Sequence, residues 1–164
     1  MSRDSTDVRV KVADYAVLRG PQLITTIGLG SCVAIALYDR ETQIGGLAHI
    51  LLPSASMSRE TGNPAKFPET IVPLMLEEMR AMGTRHARVC AKIVGGASMF
   101  GQLVNNTGIN VGERNVQATR EALAAAGVPI VAEDTGLDYG RSVYFHLADG
   151  RLEVRSLRKG DRVI

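Results

Sequence analysis

Cys32 and His49 stand seventeen residues apart (32 to 49) in "TTIGLGSCVAIALYDRETQIGGLAHILLP", residues 25 to 53. They are one of two cysteines and one of three histidines in the chain. A cysteine and a histidine can form a nucleophile and its base. The thiolate is the attacking species, and a thiol with a pKa of roughly 8.5 is only slightly ionised at neutral pH, so it needs a base or a cation beside it. The residues before Cys32 read "GLGS". Glycines there allow a tight turn in which the backbone N–H groups of Gly30 and Ser31 face one point, and such donors stabilise an oxyanion. A third group should fix the tautomer of the histidine. Thr25 and Thr26, just upstream, each offer a hydroxyl that can accept from a ring N–H. The competing reading of Cys32 is a small buried hydrophobe, a common place for a free cysteine.

The other candidates are weaker. Cys90 lies between Val89 and Ala91 in an apolar run and reads as core filler. His86, in "GTRHAR", follows a helix stop and reads as a surface residue; His146 alternates with Val143, Phe145 and Leu147 and reads as solvated. "GLGSCV" lacks the third glycine of a dinucleotide loop, and no glycine-rich stretch leads into Lys-Ser/Thr as in a P-loop. "GGASMFG" places its glycine one residue late for a nucleophile elbow. No Cys/His cluster has zinc spacing. Glu133 and Asp134 are adjacent, so in a strand they face opposite ways and make a poor acid/base pair.

The elements that must position Cys32 and His49 are two arms of one hairpin. "CVAIALYD" and "IGGLAHILLP" read as strands that turn near Arg40 to Thr42, and "QLITTIGLG" reads as a strand that feeds the glycine loop. Val8, Val10 and Val12 alternate with Arg9 and Lys11, the period of a half-buried strand. Ser54 to Lys66 is polar and reads as a long loop. A helix is expected from about Pro68 to Met82, with Val72, Met75 or Leu76, Met79 and Met82 on one face; Pro73 argues for a late start. "ARVCAKIVGG" is a further strand. Asn110 caps a second helix, with Glu113 three residues on, and that helix ends at Gly127. "PIVAEDTG" is a strand, and "RSVYFHLADGRLEV" a hairpin turning at Asp149-Gly150. Seven or eight strands and two helices, with the strands largely in blocks, predict an α+β fold, a layered sandwich with a mixed β-sheet core and flanking helices.

The 164 residues suit a single domain, with residues 1 to 7 a tail. An apolar fraction of 45% with 22% charged residues is globular. A net charge of +2, no Trp and no basic run interleaved with aromatics argue against nucleic acid. The polar N-terminus is neither a signal nor a transit sequence, and no apolar run has the length of a membrane span, so a cytoplasmic protein without membrane insertion is expected.

Five blocks, in order, resemble the CheD family, the chemoreceptor glutamine deamidases of bacterial chemotaxis. "TIGLGSCVAIALYD" is similar to the family's nucleophile segment and "GGLAHILLP" to its histidine segment. "KIVGGASMF", "NVGERNV" and "AEDTG" with "GRSV" are similar to its downstream blocks, for a coverage of about residues 8 to 155. Leu137 departs from the pattern, which has a second glycine after "EDTG" in many members. The resemblance implies a Cys-His-Thr triad at Cys32, His49 and Thr26, so it is the resemblance that selects Thr26 over Thr25. It implies a fold similar to the catalytic domain of the cytotoxic necrotizing factor toxins. It also implies conversion of receptor glutamines to glutamate through a cysteine thioester, with no metal or organic cofactor.

The implied partners are chemoreceptor cytoplasmic helices and a CheC-type phosphatase. An alternative reading is a module that docks such a phosphatase with little catalytic role. Ser54 to Lys66 and "GGASMFG" are the expected walls of a helix-binding groove, with Met99 and Phe100 touching the helix. The opposing reading is that Met99 and Phe100 fill core beneath the loop.

Overall fold

The computed structural model describes residues 7–99 and 110–164. Its architecture follows from strand β4 (Val33–Asp39), every residue of which is buried. Successive side chains of a strand point to opposite faces, so a strand buried throughout must be covered on both sides. Val33, Ile35 and Leu37 pack with the apolar stripes of helices α1 (Pro68–Met82) and α2 (Val111–Ala125). Cys32, Ala34, Ala36 and Tyr38 pack instead with Ile24, Leu29, Val143, Phe145 and Val154. Those partners belong to a second sheet. The layers are therefore sheet, sheet, helices: an α+β sandwich with two mixed sheets.

The sheet that holds β4 runs β2 (Asp14–Arg19), β5 (Ile44–Ile50), β4, β6 (Cys90–Gly95), β7 (Ile130–Thr135). Its strands are antiparallel except β6 and β7, which lie parallel and are joined through α2. The facing sheet runs β1 (Val8–Arg9), β3 (Leu23–Leu29), β8 (Arg141–His146), β9 (Leu152–Arg155), β10 (Arg162–Val163). There β1 lies parallel to β3 and the other neighbours are antiparallel. Among the described residues no helix is long and apolar enough to cross a membrane.

Three local expectations change. The alternation of Val8 to Val12 gives only a two-residue strand, although Val10 is buried. Ala13 takes a left-handed φ of 60°, which turns the chain out of one sheet and into the other, where β2 begins. That second strand, "DYAVLR", has no period-2 burial because it lies at a sheet edge. Helix α1 runs over the expected Pro68–Met82, and only the late start that Pro73 argued for does not occur. Pro73 is on the exposed face, as is Glu69 four residues earlier, so the carbonyl freed by the missing N–H faces water. Burial of Pro68, Ile71 and Val72 against the sheet holds the first turns. At α2 the expected cap forms, with the Asn110 side chain accepting from the Glu113 N–H at 3.0 Å. The polar loop after His49 contains two short 3₁₀ turns, Ala55–Met57 and Pro64–Lys66. It is tied down where Leu51 and Leu52 donate to the Lys66 carbonyl and Asn63 donates to the Ala13 carbonyl.

Candidate active site

The β4–β5 register sets Cys32 against His49. Ala34 pairs with His49 and Val33 with Ile50. Cys32, two residues before Ala34, shares its face and is diagonal to His49. In regular antiparallel geometry such neighbours stand about 7–8 Å apart, within reach of an imidazole. This face looks into the space between the two sheets. Cys32 is 8% exposed and His49 is completely buried. Cys90 starts β6 while Gly95 at its other end pairs with Val33, so Cys90 lies about 17 Å along the strand from the Cys32 end. Both cysteines are free.

The opposite sheet supplies Thr26. Its hydroxyl lies 2.7 Å from the Val10 carbonyl oxygen and 2.7 Å from His49 Nδ1. A carbonyl can only accept, so the single hydroxyl proton goes to Val10. The hydroxyl must then accept from the imidazole, which places a proton on Nδ1 and leaves the lone pair on Nε2. Among the described residues nothing hydrogen-bonds His49 Nε2. Thr25, on the opposite side of the strand, makes no such contact; its carbonyl accepts from the Val10 N–H.

Burial dominates the electrostatics. It pulls the His49 pKa down to about 4. It pushes the Cys32 thiol up, against a smaller opposing effect from the residue's own backbone N–H. At neutral pH the pair is therefore an uncharged thiol and an uncharged imidazole, with a free acceptor nitrogen on the ring.

The loop that delivers Cys32 is held by its carbonyls. Those of Gly30, Ser31 and Cys32 accept from Ala97 N at 2.8 Å, Asn115 Nδ2 at 2.9 Å and Gly96 N at 2.8 Å. Two glycines make this possible. A Cβ on Gly95 would overlap the Cys32 carbonyl oxygen, and one on Gly112 would overlap the carbonyls of Gly96 and Ala97. The resemblance singled out "KIVGGASMF" and "NVGERNV" as blocks, and here Gly96 and Ala97 of the first and Asn115 of the second close on the cysteine loop from behind. Asn115 is not among the residues that the sequence singles out. Its signal was present: it is an amide on the buried stripe of α2, among Gly112, Val116, Thr119 and Leu123.

Met99 is 49% exposed, and its Cγ lies 3.5 Å from where a Gly30 side chain would begin. It is a surface residue beside the cysteine loop rather than core. Phe100 lies outside the described residues. Leu137, 65% exposed, accepts at its carbonyl from the N–H of Ser98, the residue before Met99. His86 is exposed and lies 2.6 Å by its Nε2 from the Ala126 carbonyl; His146 is half-buried beside Glu153. Neither approaches Cys32 in the sheet register. Among the described residues no three His, Cys, Asp or Glu side chains are grouped to hold a metal ion.

The family model described as CheD chemotactic sensory transduction matches residues 51–156. A protein of Caldanaerobacter subterraneus subsp. tengcongensis, named "Probable chemoreceptor glutamine deamidase CheD", is 45% identical over 98% of this chain and 99% of its own. The chain belongs to the CheD family. Relatives of the same name from Pyrococcus abyssi and Clostridium novyi are 44% and 40% identical, over 94% and 100% of both chains. The family-model match begins beyond His49, so Thr26, Cys32 and His49 lie in the part of the CheD chain that the full-length alignments cover. Among solved structures, the hypothetical protein YfiH of Bacillus licheniformis aligns with a TM-score of 0.47 at 15% identity, over 76% of this chain and 51% of that one. That likeness is too slight to carry a conclusion.

Proposed function

We propose that this member of the CheD family is a protein-glutamine deamidase that converts glutamine side chains of chemoreceptors to glutamate, with Cys32 as nucleophile, His49 as base and Thr26 as the group that orients the ring. The observation that carries the reading is the histidine. Its Nδ1 is committed to Thr26, and its Nε2 lone pair is free on the face it shares with Cys32. The names of the full-length relatives supply the substrate class.

Because both groups rest uncharged, the proton moves as the sulfur attacks. Nε2 takes the thiol proton while Sγ bonds to the carboxamide carbon, and the carbonyl π electrons move onto oxygen. Backbone N–H groups of the Gly30 to Cys32 loop receive that oxyanion. Collapse breaks the C–N bond, and the imidazolium proton goes to the departing nitrogen, which leaves as ammonia. Water then attacks the thioester with Nε2 as its base, and the tetrahedral species expels the thiol, its proton returned from the ring. The glutamate product remains on the receptor. Burial serves this sequence, since a dry imidazole of low pKa stays unprotonated at neutral pH with its lone pair available, and a dry oxyanion draws strongly on its donors.

A receptor helix would approach over the rim. Met99, beside Gly30, and Leu137, bonded by its carbonyl to the Ser98 N–H, give that rim exposed apolar side chains, suited to the apolar face of a helix. The test is mass spectrometry of receptor cytoplasmic fragments incubated with the protein, read for amide-to-acid conversion at glutamine together with ammonia release. No conversion at any glutamine by folded protein refutes the proposal.

A further inference from the structure

One side chain ties together the two segments that carry Cys32 and His49. Asn115 is completely buried on the inner stripe of α2. Its Nδ2 donates to the Ser31 carbonyl at 2.9 Å and to the Leu51 carbonyl at 3.1 Å. Both partners can only accept, so the orientation of the amide follows from chemistry alone. Ser31 immediately precedes the nucleophile, and Leu51 lies two residues beyond His49. The Oδ1 of the same amide is buried without a hydrogen-bond partner among the described residues. An unpaired buried acceptor is destabilising, so this is not the residue that packing alone would select.

The peptide geometry says what the clamp achieves. Across a trans peptide the C=O and the N–H point in opposite directions. The Ser31 carbonyl points towards α2, on the helix side of the sheet. The N–H of the same peptide belongs to Cys32 and is thereby turned away from α2, towards the face where the Cys32 sulfur and His49 lie. The Cys32 N–H also works against the burial that raises its thiol. The Gly30 carbonyl, held by the Ala97 N–H, turns the Ser31 N–H by the same rule.

We propose that Asn115 is a positioning residue for the thiol chemistry: through Ser31 it aims the Cys32 N–H at the sulfur and at the oxyanion that forms there, and through Leu51 it fixes the end of the His49 strand against the cysteine loop. The inference rests on Cys32 and His49 being the reacting pair. It moves the principal backbone donors to Ser31 and Cys32, one residue later than the glycine spacing suggests.

The test compares Asn115→Ala and Asn115→Ser with Leu123→Ala, which lies two turns further along the same buried stripe. Two readouts are taken on the folded protein: the pH dependence of Cys32 alkylation by iodoacetamide, and kcat and KM for ammonia release from receptor fragments. Both Asn115 variants should shift the alkylation midpoint to higher pH and lower kcat about tenfold or more, with KM within about twofold of wild type, as for loss of an oxyanion donor. Leu123→Ala should lower thermal stability and leave both readouts unchanged. A wild-type alkylation profile and kcat in a folded Asn115 variant would overturn the inference. The alkylation arm needs no receptor. Absence of ammonia release from the wild type would refute the deamidase reading, while the thiol titration would still decide the role of Asn115.

Discussion

Replacing His49 by glutamine should make the protein less sensitive to acid, and the size of the effect follows from burial. In the folded state the ring pKa is pulled from 6.5 down to about 4. The unfolded chain therefore binds a proton between those values that the folded chain refuses. For a group with a lowered folded pKa, stability rises with pH across this window and is lost as pH falls through it. The gap of about 2.5 units (6.5 less about 4) amounts to about 3 kcal/mol at ~1.4 kcal/mol per unit. Among the described residues no carboxylate offsets it: Asp14, opposite His49 in the adjacent strand, is exposed and lies by its carboxylate 3.4 Å from the Lys11 N–H. Cys32 stays a thiol throughout the window, because burial raises it from an already high value. Urea unfolding of wild type and His49→Gln at pH 7 and pH 4 measures the effect. At pH 7 the wild type has its full advantage, and by pH 4 the difference between the two should have moved by about 3 kcal/mol in favour of the mutant. A difference that does not change with pH would refute the claim that His49 is held neutral by burial.

Cys32→Ala should abolish ammonia release from receptor fragments, while Cys90→Ala, at the far end of β6, should retain most of it; equal loss in both would remove the distinction. Thr26→Val keeps the shape but leaves the Val10 carbonyl and the His49 Nδ1–H unpaired, so thermal melts should show a loss of about 2–5 kcal/mol for two buried groups, with activity lowered in the protein that stays folded. Retention of wild-type stability and rate would show that the 2.7 Å contacts do not matter. Leu137 sits at a left-handed φ of 61°, so Leu137→Gly should leave stability unchanged or raise it by up to about 1 kcal/mol; a clear loss in melting temperature would contradict the strain.

The hairpin of Cys32 and His49 was legible because both strands are local and bounded by a polar turn, and because burial on both faces shows as an uninterrupted apolar run. The α2 cap was legible for the same reason: Asn110 and Glu113 are neighbours in sequence. The choice between Thr25 and Thr26 was not. Spacing cannot say which of two adjacent threonines faces inward when that is set by β3 pairing with β8, more than a hundred residues later. Strand β2 was missed because an edge strand carries no clean alternation. Asn115 was missed because nothing in its own helix shows that it reaches Ser31 and Leu51. Leu137 was noticed only as a departure from a family pattern; its positive φ gives that departure a physical meaning. Of the two expected helix contacts, Met99 is at the surface and Phe100 lies outside the described residues.

The central claim is that a neutral thiol and a neutral imidazole act together on a receptor glutamine. Trapping tests it most directly: receptor fragment is mixed with wild type, His49→Gln and Cys32→Ala, quenched in acid, and examined by intact mass for a covalent protein–receptor adduct alongside conversion of glutamine to glutamate. The account predicts an adduct through Cys32 and conversion with wild type, and neither with Cys32→Ala or His49→Gln. Conversion by Cys32→Ala at the wild-type rate would contradict it.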